Sequence, residues 1–188
     1  MDTKKILKNL EKELDYKRLE HTRGVELTAA ALAMAYGTDI EKAKMAGLLH
    51  DCAKGYSDEK KLALCEMYSL PVSDIERTNP GLLHAKLGAY IAKKDYEIDD
   101  PDILSAIEWH TTGRPNMTLL EKIVFVADYI EPSRTKLPGM DEIRKLAFTD
   151  IDSAIVKILD NTLKYLGEGT KAVDPMTRNT YEYYSSLK

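Results

Sequence analysis

The stretch Gly47-Leu-Leu-His-Asp-Cys-Ala-Lys-Gly55 ends an apolar, helix-like run with a histidine and an aspartate side by side. Helical side chains lean back over the preceding turn, so His50 and Asp51, three and four residues after Gly47, both lean toward a residue with no side chain. The expectation is that Gly47 clears one space that both polar groups enter. Lys54 follows on the same side of the helix, and Gly55 is placed to end it.

Outward from this stretch, helical apolar spacing recurs over Thr3 to Leu14, Lys17 to Tyr36, Asp39 to Lys54 and Ser57 to Tyr68. It continues over Leu82 to Tyr96, Pro101 to Thr111, Leu119 to Ile130, Met140 to Phe148 and Asp152 to Leu166. Breaks fall at Gly37, Gly55, Pro71, Pro80, Gly113 with Pro115, Pro132, Pro138 with Gly139, and Gly167 with Gly169. No long stretch alternates with period two. The pattern predicts an all-α, single-domain helical bundle, with a core over about residues 18–135, further helices and tail over 139–188, and a tail from Asp174 to Lys188 that is a short helix or an extended lid.

A chain of 188 residues is long enough to bury a real core. Its apolar runs fall far short of the roughly 20 residues that span a bilayer, and no apolar leader precedes a small-residue cleavage site, so no membrane role and a cytoplasmic location are expected. The net charge of -4 argues against nucleic acid as the main partner, since that needs an extended positive footprint. A small anion in a locally positive pocket fits better. Cys52 and Cys65 have neither metal-pair nor redox-pair spacing and are expected to be buried small hydrophobes. Amphipathicity does not set the oligomeric state, and a homodimer is one assembly left open.

Four histidines carry the most information. His21 shares a helix face with Val25, Thr28 and Leu32; His84 precedes a buried stripe at Leu87 and Ile91; His110 lies above Ala106 and Ile107. Asp128 falls on the stripe of Leu120 and Val124, where an unpaired carboxylate costs many kcal/mol unless a cation meets it. A lone inward histidine is usually a hydrogen-bonded core residue. Taken together, however, five helices aim four imidazoles and two carboxylates inward, and these are the ligands of iron, manganese or zinc rather than of calcium. One cation would neutralise Asp51 and Asp128; two cations sharing Asp51 would use all six side chains.

His21, then His50-Asp51, then Asp128 resembles the HD superfamily of metal-dependent phosphohydrolases. More specific are His50-Asp-Cys-Ala-Lys54, Leu83-His84-Ala85 with Gly88-Ala89, Trp109-His110-Thr111-Thr112-Gly113 and Ala127-Asp-Tyr-Ile-Glu-Pro-Ser-Arg134. Together, from about Arg18 to about Thr177, these resemble the YqeK family, HD-domain enzymes that split symmetrical dinucleoside tetraphosphates such as diadenosine tetraphosphate into two nucleoside diphosphates. Near the tail Pro175 and Thr177 match the family pattern, whereas Arg178-Asn179 come early and Asp174 stands where a histidine is common.

The resemblance implies one or two iron ions, with manganese and zinc as alternatives, and a dinucleoside polyphosphate or nucleoside diphosphate as ligand. It places His21, His50, Asp51 and Asp128 on a first metal, which generates the attacking hydroxide. His84 and His110 either hold a second metal with Asp51 bridging, or contact phosphate and protonate the leaving oxygen. Asp51, Lys54, His84 and His110 form the expected catalytic set. The expected substrate contacts are Arg18, His21, Asp51, Cys52, Ala53, Lys54, His84, His110, Thr111, Asp128, Arg134, Asp174 and Pro175; Arg23, Arg114 and Arg178 read as solvated surface charges. An HD phosphohydrolase for another nucleotide or a phosphodiester, and a non-catalytic nucleotide-binding module, are the competing functions.

Overall fold

The computed structural model describes residues 3–167 and 173–187; the predicted break at Gly169 lies outside them. Among the described residues the regular elements are eleven α-helices and one 3-10 turn, with no strand. In order they are α1 Thr3–Glu13, α2 Tyr16–Tyr36, α3 Ile40–Leu49, α4 Asp58–Met67 and α5 Asp74–Thr78. The 3-10 turn Pro80–Leu83 leads into α6 His84–Asp95, then α7 Pro101–Trp109, α8 Leu119–Ile130, α9 Met140–Thr149, α10 Ile151–Gly167 and α11 Pro175–Ser186. The all-α expectation holds, and the tail is a helix.

Helix α2 is the spine of the bundle. Asp15 caps its start by accepting the N–H of Arg18, and Gly37 ends it in the left-handed region at φ 65°. It packs against α3, α8 and α9, while α7 packs against α3, α6 and α8, and α10 carries α9 and α11. Val25, Leu32, Leu49, Leu87, Ile107, Ile123 and Val124 fill the space between these helices. Complete burial of one such side chain stabilises the fold by about 1.5–3 kcal/mol.

Helix starts follow the sequence closely because short polar side chains bind the free N–H groups there. Thr118 and Glu121 form a reciprocal cap on α8, and Ser73 and Glu76 do the same on α5. Two expectations fail nearby. Helix α3 stops at Leu49, not Lys54, and residues 50–55 form a succession of turns. The short helix α5 and the 3-10 turn before His84 have no counterpart in the apolar spacing, since one or two turns are too short for periodicity to reveal.

Gly47 also serves a different purpose from the one expected. A Cβ there would lie 3.1 Å from both the Glu26 Cα and the Val25 carbonyl oxygen of α2. The glycine lets α3 cross α2 closely, with Ala29 as its neighbour. His50 and Asp51 lie beyond the end of α3, in the turns that follow it. Both cysteines are buried free thiols, as expected.

Candidate metal centre

Three of the four histidines stand immediately after a helical segment: His50 after α3, His84 after the 3-10 turn and His110 after α7. The last carbonyls of a helix lack intrahelical partners. In each case the imidazole Nδ1–H donates to the carbonyl three residues back: His50 to Gly47 at 2.7 Å, His84 to Gly81 at 2.6 Å and His110 to Ile107 at 2.7 Å. One bond thus completes the helix end and fixes the tautomer that leaves Nε2 as an inward acceptor.

His21 lies in mid-helix, where no carbonyl is free, and its Nδ1–H donates to the carboxylate of Glu131 at 3.0 Å. Glu131 is itself buried and accepts the Ser133 N–H at 2.7 Å and the Ser133 hydroxyl. Gly24, one turn along α2 from His21, makes this contact sterically feasible, for a Cβ there would come within 2.5 Å of Glu131 Oε2. Burial alone would raise the Glu131 pKa, but the bonds from Ser133 and His21 hold it below its ordinary value.

The four Nε2 atoms and the two carboxylates converge. Asp128 Oδ1 lies 3.0 Å from His21 Nε2 and 3.8 Å from His50 Nε2. Asp51 Oδ1 lies 3.2 Å from His84 Nε2 and 3.6 Å from His110 Nε2, and those two imidazole nitrogens are 3.1 Å apart. With the protons committed to Nδ1, these are approaches of lone pair to lone pair. His21 Nε2, His50 Nε2 and Asp51 Oδ1 are buried without a hydrogen-bond partner. Such an excess of acceptors is costly unless a cation satisfies it.

The donor set fits a divalent transition metal. Ligand atoms of His21, His50 and Asp51 lie within 4.8 Å of one another, as do those of Asp51, His84 and His110, and those of His50, His110 and Asp128. Burial pushes His50 down to about 4 and His84 also to about 4, so both are neutral near pH 7, as ligands must be. Burial works against ionisation of Asp51, yet His50, His110, His84 and Lys54 hold its carboxyl well below the usual range. Burial would lower His21, but its two carboxylate neighbours, Asp128 and Glu131, raise it overall.

Cations border the cluster. Arg18 reaches Asp51 Oδ2 at 2.8 Å, Arg134 reaches Asp128 Oδ1 at 3.2 Å, and the Lys54 ammonium donates to His84 Nε2 at 3.0 Å. Thr111 places its hydroxyl 3.1 Å from the Nε2 atoms of both His84 and His110. Cys52 donates its thiol to the Gly88 carbonyl and Ala53 is fully buried, so what either offers a ligand is backbone. Asp174 caps α11 by accepting the Met176 N–H at 2.7 Å. With Met176 it lines a small cavity beside Trp109, Thr111 and Thr112, and with Pro175 a larger one of about 640 Å³.

Two loops beside the site are held by arginine and carboxylate contacts. Arg144 of α9 donates to the carbonyls of Ile130, Glu131 and Arg134, holding the turn that carries Glu131 and Arg134. Arg114, which reads as a solvated charge in the sequence, instead binds the buried carboxylate of Glu121 through Nε at 3.1 Å and Nη2 at 2.9 Å. Ser105 and the Thr118 N–H complete the Glu121 shell and tie the Thr111–Met117 loop to α7 and α8. Arg23 and Arg178 are exposed, as expected.

The sequence model of the HD domain matches residues 18–133, the span from Arg18 through all six convergent side chains to Ser133. A protein of Bacillus subtilis named bis(5'-nucleosyl)-tetraphosphatase, symmetrical, is 41% identical over 99% of both chains. The chain belongs to the YqeK family of HD-domain proteins. A second such YqeK relative, from Staphylococcus aureus and bearing the same name, is 37% identical over 98% of this chain and 95% of its own. The crystal structure of a Clostridium acetobutylicum protein, described as an HD superfamily hydrolase involved in NAD metabolism, superposes with a TM-score of 0.96 at 43% identity. It covers 100% of this YqeK-family chain and 99% of its own. No helix among the described residues is long and apolar enough to cross a membrane.

Proposed function

We propose that this protein hydrolyses symmetrical dinucleoside tetraphosphates, converting diadenosine tetraphosphate and water into two molecules of ADP. The observation that carries the reading is the cluster of six inward acceptors bordered by Arg18, Lys54 and Arg134. It is built to take cations first and a polyphosphate second, and the names borne by the relatives select the tetraphosphate.

His21, His50, Asp51 and Asp128 are assigned to one metal ion; Asp51, His84 and His110 are assigned to a second. The low pKa of His84 and the Nδ1–H bonds of His84 and His110 favour ligation over proton donation by these two imidazoles. A metal bound there supplies charge neutralisation at phosphoryl oxygens and acidifies water enough for attack near neutral pH. Arg18 and Arg134 are positioned to turn from Asp51 and Asp128 to phosphate oxygens, for which a guanidinium fork is suited. Lys54 is assigned the charge that develops on the departing diphosphate. Asp174 and Pro175 are assigned to the rim of the nucleotide bay beyond Thr111. Iron as the resident metal and a cytoplasmic location belong to the same reading.

Product analysis tests it. Metal-loaded protein incubated with diadenosine tetraphosphate is expected to release ADP alone, whereas AMP with ATP, or no product, would overturn the assignment. Anomalous scattering across the iron, manganese and zinc edges identifies and counts the ions.

A further inference from the structure

Cleavage at the centre of a tetraphosphate leaves a nucleoside and two phosphates on each side of the attacked bond, so a site for it needs two bays. One lies beyond Thr111, between Trp109 and Asp174. At the His21 end of the cluster a second cavity of about 520 Å³ is lined by Asp15, Lys17, Arg18, Ser133, Arg134, Lys136 and neighbours. That volume lies within the range of small-molecule sites.

The charge of this cleft is unlike that of the molecule. The chain carries -4 overall, yet four cations line the cleft against one carboxylate, Asp15, whose oxygen already caps α2. Arg18 and Arg134 are tethered at the inner end to Asp51 and Asp128. Lys17 and Lys136 are exposed and have no ion-pair partner among the described residues. Four like charges around one cavity repel one another, and a multiply charged anion relieves that repulsion.

We propose that this cleft seats the second nucleoside diphosphate half of the substrate, with Lys17 and Lys136 as the residues that recognise it. The inference rests on the tetraphosphatase reading above. Both bays are then occupied at once, with the central phosphates drawn across the metal centre between them. Lys17 comes from the first turn of α2 and Lys136 from the loop after α8, so the two hold the distal phosphates from either side. They contribute to ground-state binding and leave the reacting atoms to the buried cluster.

The test uses metal-loaded enzyme and diadenosine tetraphosphate. The K17A/K136A double variant is expected to raise KM about five- to tenfold while kcat and metal content stay near wild type, the signature of lost uniform binding. Its KM should also depend less on ionic strength than that of wild type, since two screened attractions are gone. K17E/K136E should raise KM further. A matched control, K93A/K145A, removes two charges elsewhere and should leave KM within about twofold, a change too small to reflect a lost contact. An unchanged KM in K17A/K136A, or an equal rise in the control, overturns the cleft assignment while the wild type still makes ADP. A wild type that makes no ADP defeats the underlying reading instead, and the two failures are separate.

Discussion

The Glu131 carboxylate accepts the Nδ1–H of His21 at 3.0 Å, across 110 residues of sequence, and is the one side-chain acceptor among the four imidazole Nδ1 contacts. A carboxylate behind an imidazole fixes its orientation and makes Nε2 a stronger donor to a metal. Glu131→Gln is therefore expected to weaken metal binding about 10- to 100-fold, the usual effect of losing such a partner. Metal titration of the purified variant measures this directly, with circular dichroism to verify the helices. Gly24→Ala should act in the same direction, because its methyl group occupies the Glu131 oxygen position. Wild-type affinity in both variants would show that His21 needs no support.

Asp51 touches both halves of the cluster, through Oδ2 toward His50 and through Oδ1 toward His84 and His110. Asp51→Asn removes the charge on which both proposed metal sites depend. The expected result is loss of bound metal and at least a 100-fold fall in ADP release, as expected when a charge-stabilising group is lost from a hydrolytic centre. Unchanged metal content and turnover would remove Asp51 from the centre.

Convergent acceptors make the metal-free protein the less stable form. Metal at about 100 times its dissociation constant adds about 2.7 kcal/mol to stability. For a chain of this size that corresponds to a rise in Tm of roughly 5–10 °C. Differential scanning fluorimetry after chelation and again after metal addition reads the shift; equal melting with and without metal would contradict it.

Acid should unfold the metal-free protein early. His50 and His84 bind protons less readily folded, at about 4, than unfolded, at 6.5, so between these values the unfolded state holds more protons and stability falls as pH falls. His21 opposes this, since its raised pKa favours the folded state at low pH, but it is one group against two. Melting temperatures of chelated protein are expected to decline steadily from pH 6.5 to 4. A flat profile across that window would mean that His50 and His84 are not held neutral.

Arg114→Ala leaves the fully buried Glu121 carboxylate without its cation. Breaking a buried pair costs about 3–5 kcal/mol; with the Arg114 side chain 36% exposed, solvent screening brings the expectation to about 2 kcal/mol. Chemical denaturation measures it. Adding Glu121→Gln should restore part of the loss, because the orphaned charge is then removed as well.

Helices and the inward placement of the six convergent side chains were legible in the sequence because both depend on local pattern. Apolar spacing reports which face is buried, and His21, His50, Asp51, His84, His110 and Asp128 all fall on or beside such faces. What supports them was not legible. Glu131 sits past the end of α8, outside any periodic run, and its bond to His21 joins distant segments. Arg114 and Glu121 are seven residues apart but separated by a loop whose path no spacing rule gives. The absence of a side chain at Gly47 matters as the sequence suggests, but the neighbour it admits is α2, which a helix wheel does not reveal because it does not say which helix crosses it.

Three imidazoles are aimed by main-chain carbonyls at Gly47, Gly81 and Ile107, and main chain survives any side-chain replacement. Only His21 is aimed by something a codon change can erase. Drift in metal selectivity, whether in a laboratory library or between related chains, therefore has an unequal landscape. It should concentrate at Gly24, Glu131 and Ser133, where the cluster can be retuned while its other three corners stay anchored.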